Sequence, residues 1–208
     1  MSREVVSGLE QVEFEALIEG LLNRQYGVSD HFLQPPILRG LQQNLFHHLN
    51  LGNMNPAGIG RKFDHKKNTL VRGDLIKWIE NDSIDSFERL FLEKISRFIS
   101  YLNETCYTGL NDLEFHYASY ASGSFYKRHL DQFQSDKGRK FSLVLYLNAD
   151  WKIEDGGHLT LYLDNGEEQN IFPNSGRLVF FRSDATEHEV HASFNRSRIS
   201  IAGWLKCV

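Results

Sequence analysis

An α+β fold, with helices first and a double-sheet jelly roll after them, is predicted by three features of this sequence. Apolar residues recur at helical spacing in three separate stretches of the first half. From Asp112 onward the apolar period falls to two, in short runs broken by turn residues. The chain has 208 residues, 41% of them hydrophobic, with 15 Phe, 8 Tyr and 3 Trp, enough to fill a packed aromatic core. One domain over 1–208 is expected, residues 1–110 supplying helical support and a loop, and residues 111–208 the jelly-roll core.

Phe14, Leu17, Ile18, Leu21 and Leu22 define the apolar face of a first helix, which Gly27 and then Ser29-Asp30 should end. Pro35-Pro36 opens a second, carried by Leu38, Leu41, Leu45 and Leu49 and closed by the 52–60 region. The stretch from Gly58 to Asn68 is polar, basic and glycine-containing, and reads as a solvated loop. Phe87, Leu90, Phe91, Ile95, Phe98, Ile99 and Leu102 mark a third helix, capped by Asp85 or Ser83. These faces should buttress a sheet. Leu113, Phe115 and Tyr117 then alternate, and residues 141–147, 159–163, 178–181 and 199–205 are further strands. Gly156-Gly157 and Asp164-Asn165-Gly166 supply turns between them. Such a double-sheet arrangement has an open mouth suited to a ligand.

The formal net charge of −4 gives no broad attraction to phosphate backbones, so nucleic acid is disfavoured as a partner. Two cysteines, Cys106 and Cys207, are too few for a disulfide framework or a zinc site. The N-terminal residues lack a continuous apolar run, and no later stretch is long and apolar enough for a bilayer. A cytoplasmic protein with no membrane partner is therefore expected.

The chemistry concentrates at His129-Leu130-Asp131, followed downstream by His188 and by Arg198-Ile199-Ser200. Residues two apart on a strand share a face, so His129 and Asp131 can present an imidazole and a carboxylate to one point. A distant histidine closes the set. Two histidines and one carboxylate on one face of an ion leave its other positions open, as in non-haem Fe(II) oxygenases. Arg198 can hold a carboxylate through two parallel hydrogen bonds, which suits the far end of a dicarboxylate whose near end chelates the metal. His191 lies at an odd separation from His188 and should face away, and His158 reads as structural or supporting.

The surrounding text is specific. The run from His116 through Tyr120 and Tyr126 to Asp131 is followed by Leu143-Val144-Leu145-Tyr146-Leu147-Asn148, Trp151 and Asp155-Gly156-Gly157. Then come Pro173-Asn174-Ser175-Gly176-Arg177-Leu178-Val179-Phe180-Phe181, His188-Glu189-Val190 and Arg198-Ile199-Ser200-Ile201, ending in Trp204. In order and spacing these segments resemble the catalytic domain of the 2-oxoglutarate/Fe(II)-dependent prolyl hydroxylases, built on a double-stranded β-helix. Upstream, Arg72-Gly73-Asp74-Leu75-Ile76-Lys77-Trp78-Ile79 is similar to the segment that follows the substrate-covering loop of the oxygen-sensing branch, which acts on hypoxia-inducible factor, and of its bacterial relatives.

The resemblance implies Fe(II) on His129, Asp131 and His188. It implies 2-oxoglutarate held by Arg198 with Tyr146, Tyr120 as a pocket tyrosine and Trp204 as an aromatic wall. It also implies contact between Arg72, Asp74 and Tyr126 and a proline-containing protein or peptide, a flap over 58–68, and ascorbate as the agent that restores oxidised iron. The reaction implied is prolyl hydroxylation with release of succinate and CO2. One extra residue between His188 and Arg198 makes Arg196 a competing partner for 2-oxoglutarate. A dioxygenase of a free amino acid or small metabolite is an alternative, as is an inactive jelly-roll binding module. A nucleic-acid demethylase is disfavoured by the acidic balance.

Overall fold

The computed structural model describes residues 8–58, 72–132 and 137–208. Most of the expected flap, residues 59–68, lies outside the described residues.

Helix α1 spans Gly8–Arg24 and buries Phe14, Leu17 and Ile18. It ends at Arg24, earlier than expected, and the chain reverses at Gln25 (φ 69°) into strand β1, Tyr26–Ser29. Gly27 is thus a strand residue pressed against the helix, where a Cβ would lie 2.3 Å from the Leu17 carbonyl oxygen. Helix α2, Pro35–Asn50, starts on its prolines and buries Leu41 and Leu45. Helix α3, Ser86–Cys106, is capped by Asp85, whose carboxylate accepts from the backbone N–H of Phe87 at 2.9 Å and of Glu88 at 3.0 Å. Tyr107 ends it in the left-handed region.

The remaining strands are β2 (Asn55–Pro56), β3 (Asp74–Ile79), β4 (Asp112–Tyr120), β5 (Tyr126–His129), β6 (Arg139–Tyr146), β7 (Leu159–Tyr162), β8 (Glu168–Ile171), β9 (Leu178–Arg182), β10 (Glu187–Val190) and β11 (Arg198–Lys206). Among the described residues they form a seven-stranded sheet, β1-β9-β6-β11-β4-β3-β2, and a four-stranded sheet, β5-β10-β7-β8. Every pairing between these strands is antiparallel. This is the expected α+β jelly roll with N-terminal supporting helices.

Strand alternation divides the molecule into two cores. Phe115, Tyr117, Leu143, Leu145, Leu178, Phe180, Ile199, Ile201 and Leu205 face the helices and pack with Phe14, Leu41, Phe91 and Phe98. Their strand neighbours Ala118, Tyr120, Tyr146, Val179 and Phe181 face the smaller sheet and meet Leu159, Leu161 and Val190. The helices therefore cover one side of the large sheet. The opposite side is left to enclose a cavity with the small sheet, and there the polar residues converge.

Candidate active site

The pairing of β5 with β10 sets His188 directly across from His129. Asp131 lies two residues past the end of β5, in a bend, so strand alternation is not what aims it. Two contacts hold it instead. The Ser142 hydroxyl donates to Asp131 Oδ2 at 2.7 Å, and Arg139 Nη1 donates to the Asp131 carbonyl at 3.3 Å. His129 Nε2 is 3.5 Å from Asp131 Oδ1 and His188 Nε2 is 3.5 Å from Asp131 Oδ2. The three residues offer ligand atoms within 4.8 Å of one another, the one such group among the described residues.

Both imidazoles are set in the same tautomer. His129 Nδ1 meets the Lys127 carbonyl at 2.7 Å and His188 Nδ1 meets the Thr186 carbonyl at 3.2 Å. A carbonyl can only accept, so each Nδ1 carries a hydrogen, and each Nε2 is the atom turned to the centre. Burial pushes His188 down to about 4, leaving it neutral at pH 7. Burial acts to raise Asp131, but the His188 and His129 rings and the Ser142 hydrogen bond outweigh it and hold the carboxyl below the usual range. Two imidazole nitrogens and one carboxylate on a single face fit a divalent iron with open positions opposite.

Strand β11 carries the second feature. Arg198, Ser200, Ala202 and Trp204 share its inner face and line the same cavity as the three ligands. Arg198 is 2% exposed, with its guanidinium 4.9 Å from the Tyr120 ring centre and 5.0 Å from that of Tyr146. Nη2 donates to the Tyr146 hydroxyl at 3.4 Å, and Nε has no hydrogen-bond partner. Among the described residues no carboxylate pairs with it. A buried cation left this way is costly unless a ligand brings the anion, and the site therefore fits a carboxylate-bearing co-substrate. Arg196 does not share this position. It is half-buried outside the cavity lining, donates to the carbonyls of Ala149 (2.9 Å) and Asp150 (3.3 Å), and rests over Trp151.

The other expected residues divide. Tyr120 and Trp204 line the cavity, with the Arg139 guanidinium 3.4 Å from the Trp204 ring centre. Tyr146 is fully buried behind Arg198. Arg72 and Tyr126 also line the cavity, the guanidinium 4.3 Å from the Tyr126 ring centre, and Tyr126 stacks on His129 with centroids 3.5 Å apart. Asp74 does not face the cavity: its side chain is fully buried and takes Arg72 through both oxygens, at 2.7 and 2.6 Å. The contact its side chain makes among the described residues is with Arg72. His158 and His191 stack on each other at 4.2 Å, and His191 Nε2 meets Thr160 Oγ1 at 2.9 Å.

Sequence reasoning passed over His116, Trp78, Arg139 and Ser142. The first three line the cavity and the fourth holds Asp131. For His116 and Ser142 the one sequence signal is a polar residue on the inward alternation of an apolar strand, which by itself assigns no role.

A jelly roll that brings two histidines, one carboxylate and a buried, anionless arginine to one cavity defines a mononuclear non-haem iron oxygenase of the 2-oxoglutarate-dependent class. The comparisons agree. The 2OG-Fe(II) oxygenase superfamily matches residues 115–206. A Pseudomonas putida prolyl-4-hydroxylase structure is 33% identical, superimposes with a TM-score of 0.82, and the match covers 93% of this chain and 98% of that one. A Trichoplax adhaerens prolyl hydroxylase, solved with a peptide fragment of the hypoxia inducible factor oxygen degradation domain, gives 25% identity and a TM-score of 0.84 over 95% of this chain and 90% of its own. Human Egl nine homolog 1 is 29% identical over 165 residues, 70% of this chain but 35% of that protein. The chain thus spans less than half the length of the curated relatives it matches. It belongs to the 2OG-Fe(II) oxygenase superfamily and is related within it to the prolyl 4-hydroxylases, Egl nine homologues included.

Proposed function

We propose that the chain, acting as one domain, hydroxylates a prolyl residue in a protein or peptide, with 2-oxoglutarate and dioxygen consumed and succinate and CO2 released. The observation that carries this reading is Arg198, a buried cation with no anionic partner among the described residues, in the cavity of the His129, Asp131 and His188 triad. Iron and 2-oxoglutarate, when bound, supply the oxidising chemistry.

The residues do the rest. His129 and His188 offer Nε2 and Asp131 a carboxylate, so one negative charge offsets part of a dipositive ion and the remaining positions stay free. Arg198 takes the distal carboxylate of 2-oxoglutarate through paired N–H donors, and the Tyr146 hydroxyl beside it adds a donor to the same group. Such a clamp would orient the co-substrate relative to the triad. Tyr120 and Trp204 wall the co-substrate and keep water from it. At the rim, Arg72 and Tyr126 are placed to contact the peptide, with Asp74 holding Arg72 rigid. Support for a peptide rather than a metabolite comes from the relatives at comparable length, one of them solved with a peptide fragment.

Ascorbate as the reductant that restores ferrous iron rests on the family resemblance. A cytoplasmic setting is supported by two exposed, unbridged cysteines; in addition, no helix among the described residues is long and apolar enough to cross a membrane. Mass spectrometry of proline-containing peptides and of free proline after incubation with Fe(II), 2-oxoglutarate and oxygen tests the proposal. One added oxygen atom on a prolyl residue of a peptide is expected. Oxidation of free proline alone moves the substrate to the metabolite class.

A further inference from the structure

Ser142 and Ser183 are buried polar residues in an otherwise apolar layer, 1% and 0% exposed. Ser142 lies on β6 with its side chain on the inner face, among Val144 and Tyr146 at the same alternation. Ser183 follows directly on β9. Their hydroxyl oxygens are 2.8 Å apart, and Ser142 Oγ is 2.7 Å from Asp131 Oδ2. The proton order in this chain is fixed by chemistry. An ionised carboxylate can only accept, so the Ser142 hydroxyl donates to Asp131, and its oxygen is left to accept from Ser183. Hydrogen bonds in such a series polarise one another.

The same serine governs the backbone next to the metal ligand. The Ser183 carbonyl accepts the Gln132 N–H at 3.0 Å, and the Ser183 N–H donates to the Lys140 carbonyl at 3.1 Å. Asp131, which no strand pairing holds, is therefore fixed at its carboxylate by Ser142, at its carbonyl by Arg139, and at the following residue by Ser183.

We propose that Ser142, with Ser183 behind it, is the positioning pair for the iron-ligating carboxylate: the Ser142 hydroxyl occupies Oδ2 and leaves Oδ1 as the ligating oxygen. This rests on the reading of the site as an iron centre. A hydrogen-bonded oxygen is the poorer ligand, so the pair holds Asp131 to one-point coordination and keeps an extra iron position free for the other reactants. Ser142 and Ser183 are positioning residues, since neither lines the cavity.

The test is an anaerobic titration of the full chain with Fe(II), followed by 2-oxoglutarate, for the wild type, Ser142→Ala, Ser142→Thr and Ser183→Ala. The readouts are the Fe(II) dissociation constant, the visible charge-transfer band of the ternary complex and apoprotein melting. Ser142→Ala is expected to weaken Fe(II) by roughly 10-fold to 100-fold, as loss of a ligand-orienting partner does, and to shift the band. Ser142→Thr restores the hydroxyl and should recover most of the affinity. Ser183→Ala should give an intermediate loss, and it decides the matter if Ser142→Ala does not fold. Ser142→Ala or, in that event, Ser183→Ala binding Fe(II) within twofold of the wild type with an unchanged band overturns the proposal. A wild-type protein that binds no Fe(II) overturns the iron-centre reading itself, which is a separate result.

Discussion

At the scale of single residues the molecule sets function against stability at Arg198. Its guanidinium is buried between two tyrosines with no carboxylate beside it among the described residues, a state that costs the apoprotein free energy until a dicarboxylate arrives. Arg198→Met should therefore raise the melting temperature of the apoprotein while weakening 2-oxoglutarate by at least about 30-fold, in line with roughly 2–5 kcal/mol for a buried charged hydrogen bond. Calorimetry on the apoprotein and a 2-oxoglutarate titration check the two halves. Arg196→Ala should change 2-oxoglutarate affinity less than about twofold, because that side chain serves exposed backbone carbonyls. The triad and Arg198 could be read in the sequence because metal and dicarboxylate chemistry restrict the residue types. Ser142 and His116 could not, because a lone serine or histidine in a strand carries no such restriction until its neighbours are known.

At the scale of elements, the strongly periodic segments were the readable ones. Helices α2 and α3 follow from Leu41 and Leu45 and from Phe91, Ile95 and Phe98, and the strand cores of β4, β6, β9 and β11 from alternation. Short strands were missed. β1 and β8 span four residues each, and so short a run is recognised as a strand only once its partner, β9 or β7, is known. β1 shows the physical reason most plainly. Gly27 was taken to stop the helix, whereas it allows β1 to press on the Leu17 backbone. Gly27→Ala should then destabilise by about 1–3 kcal/mol through overpacking, measured by urea denaturation. Alanine at Gly166, whose added Cβ meets no atom within 4 Å, should be destabilising only through its positive φ of 82°.

At the scale of the whole molecule, the helix-covered sheet provides rigidity and the far side of that sheet provides the site. Titratable side chains stand among the apolar ones that line the cavity, and pH dependence follows. Burial depresses His116 to about 4, against 6.5 for an exposed histidine. Between these values the unfolded chain binds a proton that the native state does not, so native stability rises with pH. It should fall by about 1.4 kcal/mol per pH unit for this group as pH drops from 6.5 to 4. Apoprotein melting at a series of pH values checks this, and His116→Leu should remove that part of the slope. The division into a covering helical layer and a β-rich chemical layer was readable from the change of period near Asp112. The expected flap over 58–68 falls almost wholly outside the described residues, and polar composition alone does not say what a loop does.

The most direct measurement is succinate formation from 2-oxoglutarate by anaerobically iron-loaded protein after admission of oxygen, with and without proline-containing peptides, beside Asp131→Ala and Arg198→Ala. Succinate that rises with peptide in the wild type and is lost in both variants is the predicted result. Iron-loaded wild type that forms no succinate under any of these conditions, or forms it equally in the two variants, would contradict a triad-centred, Arg198-anchored oxygenase.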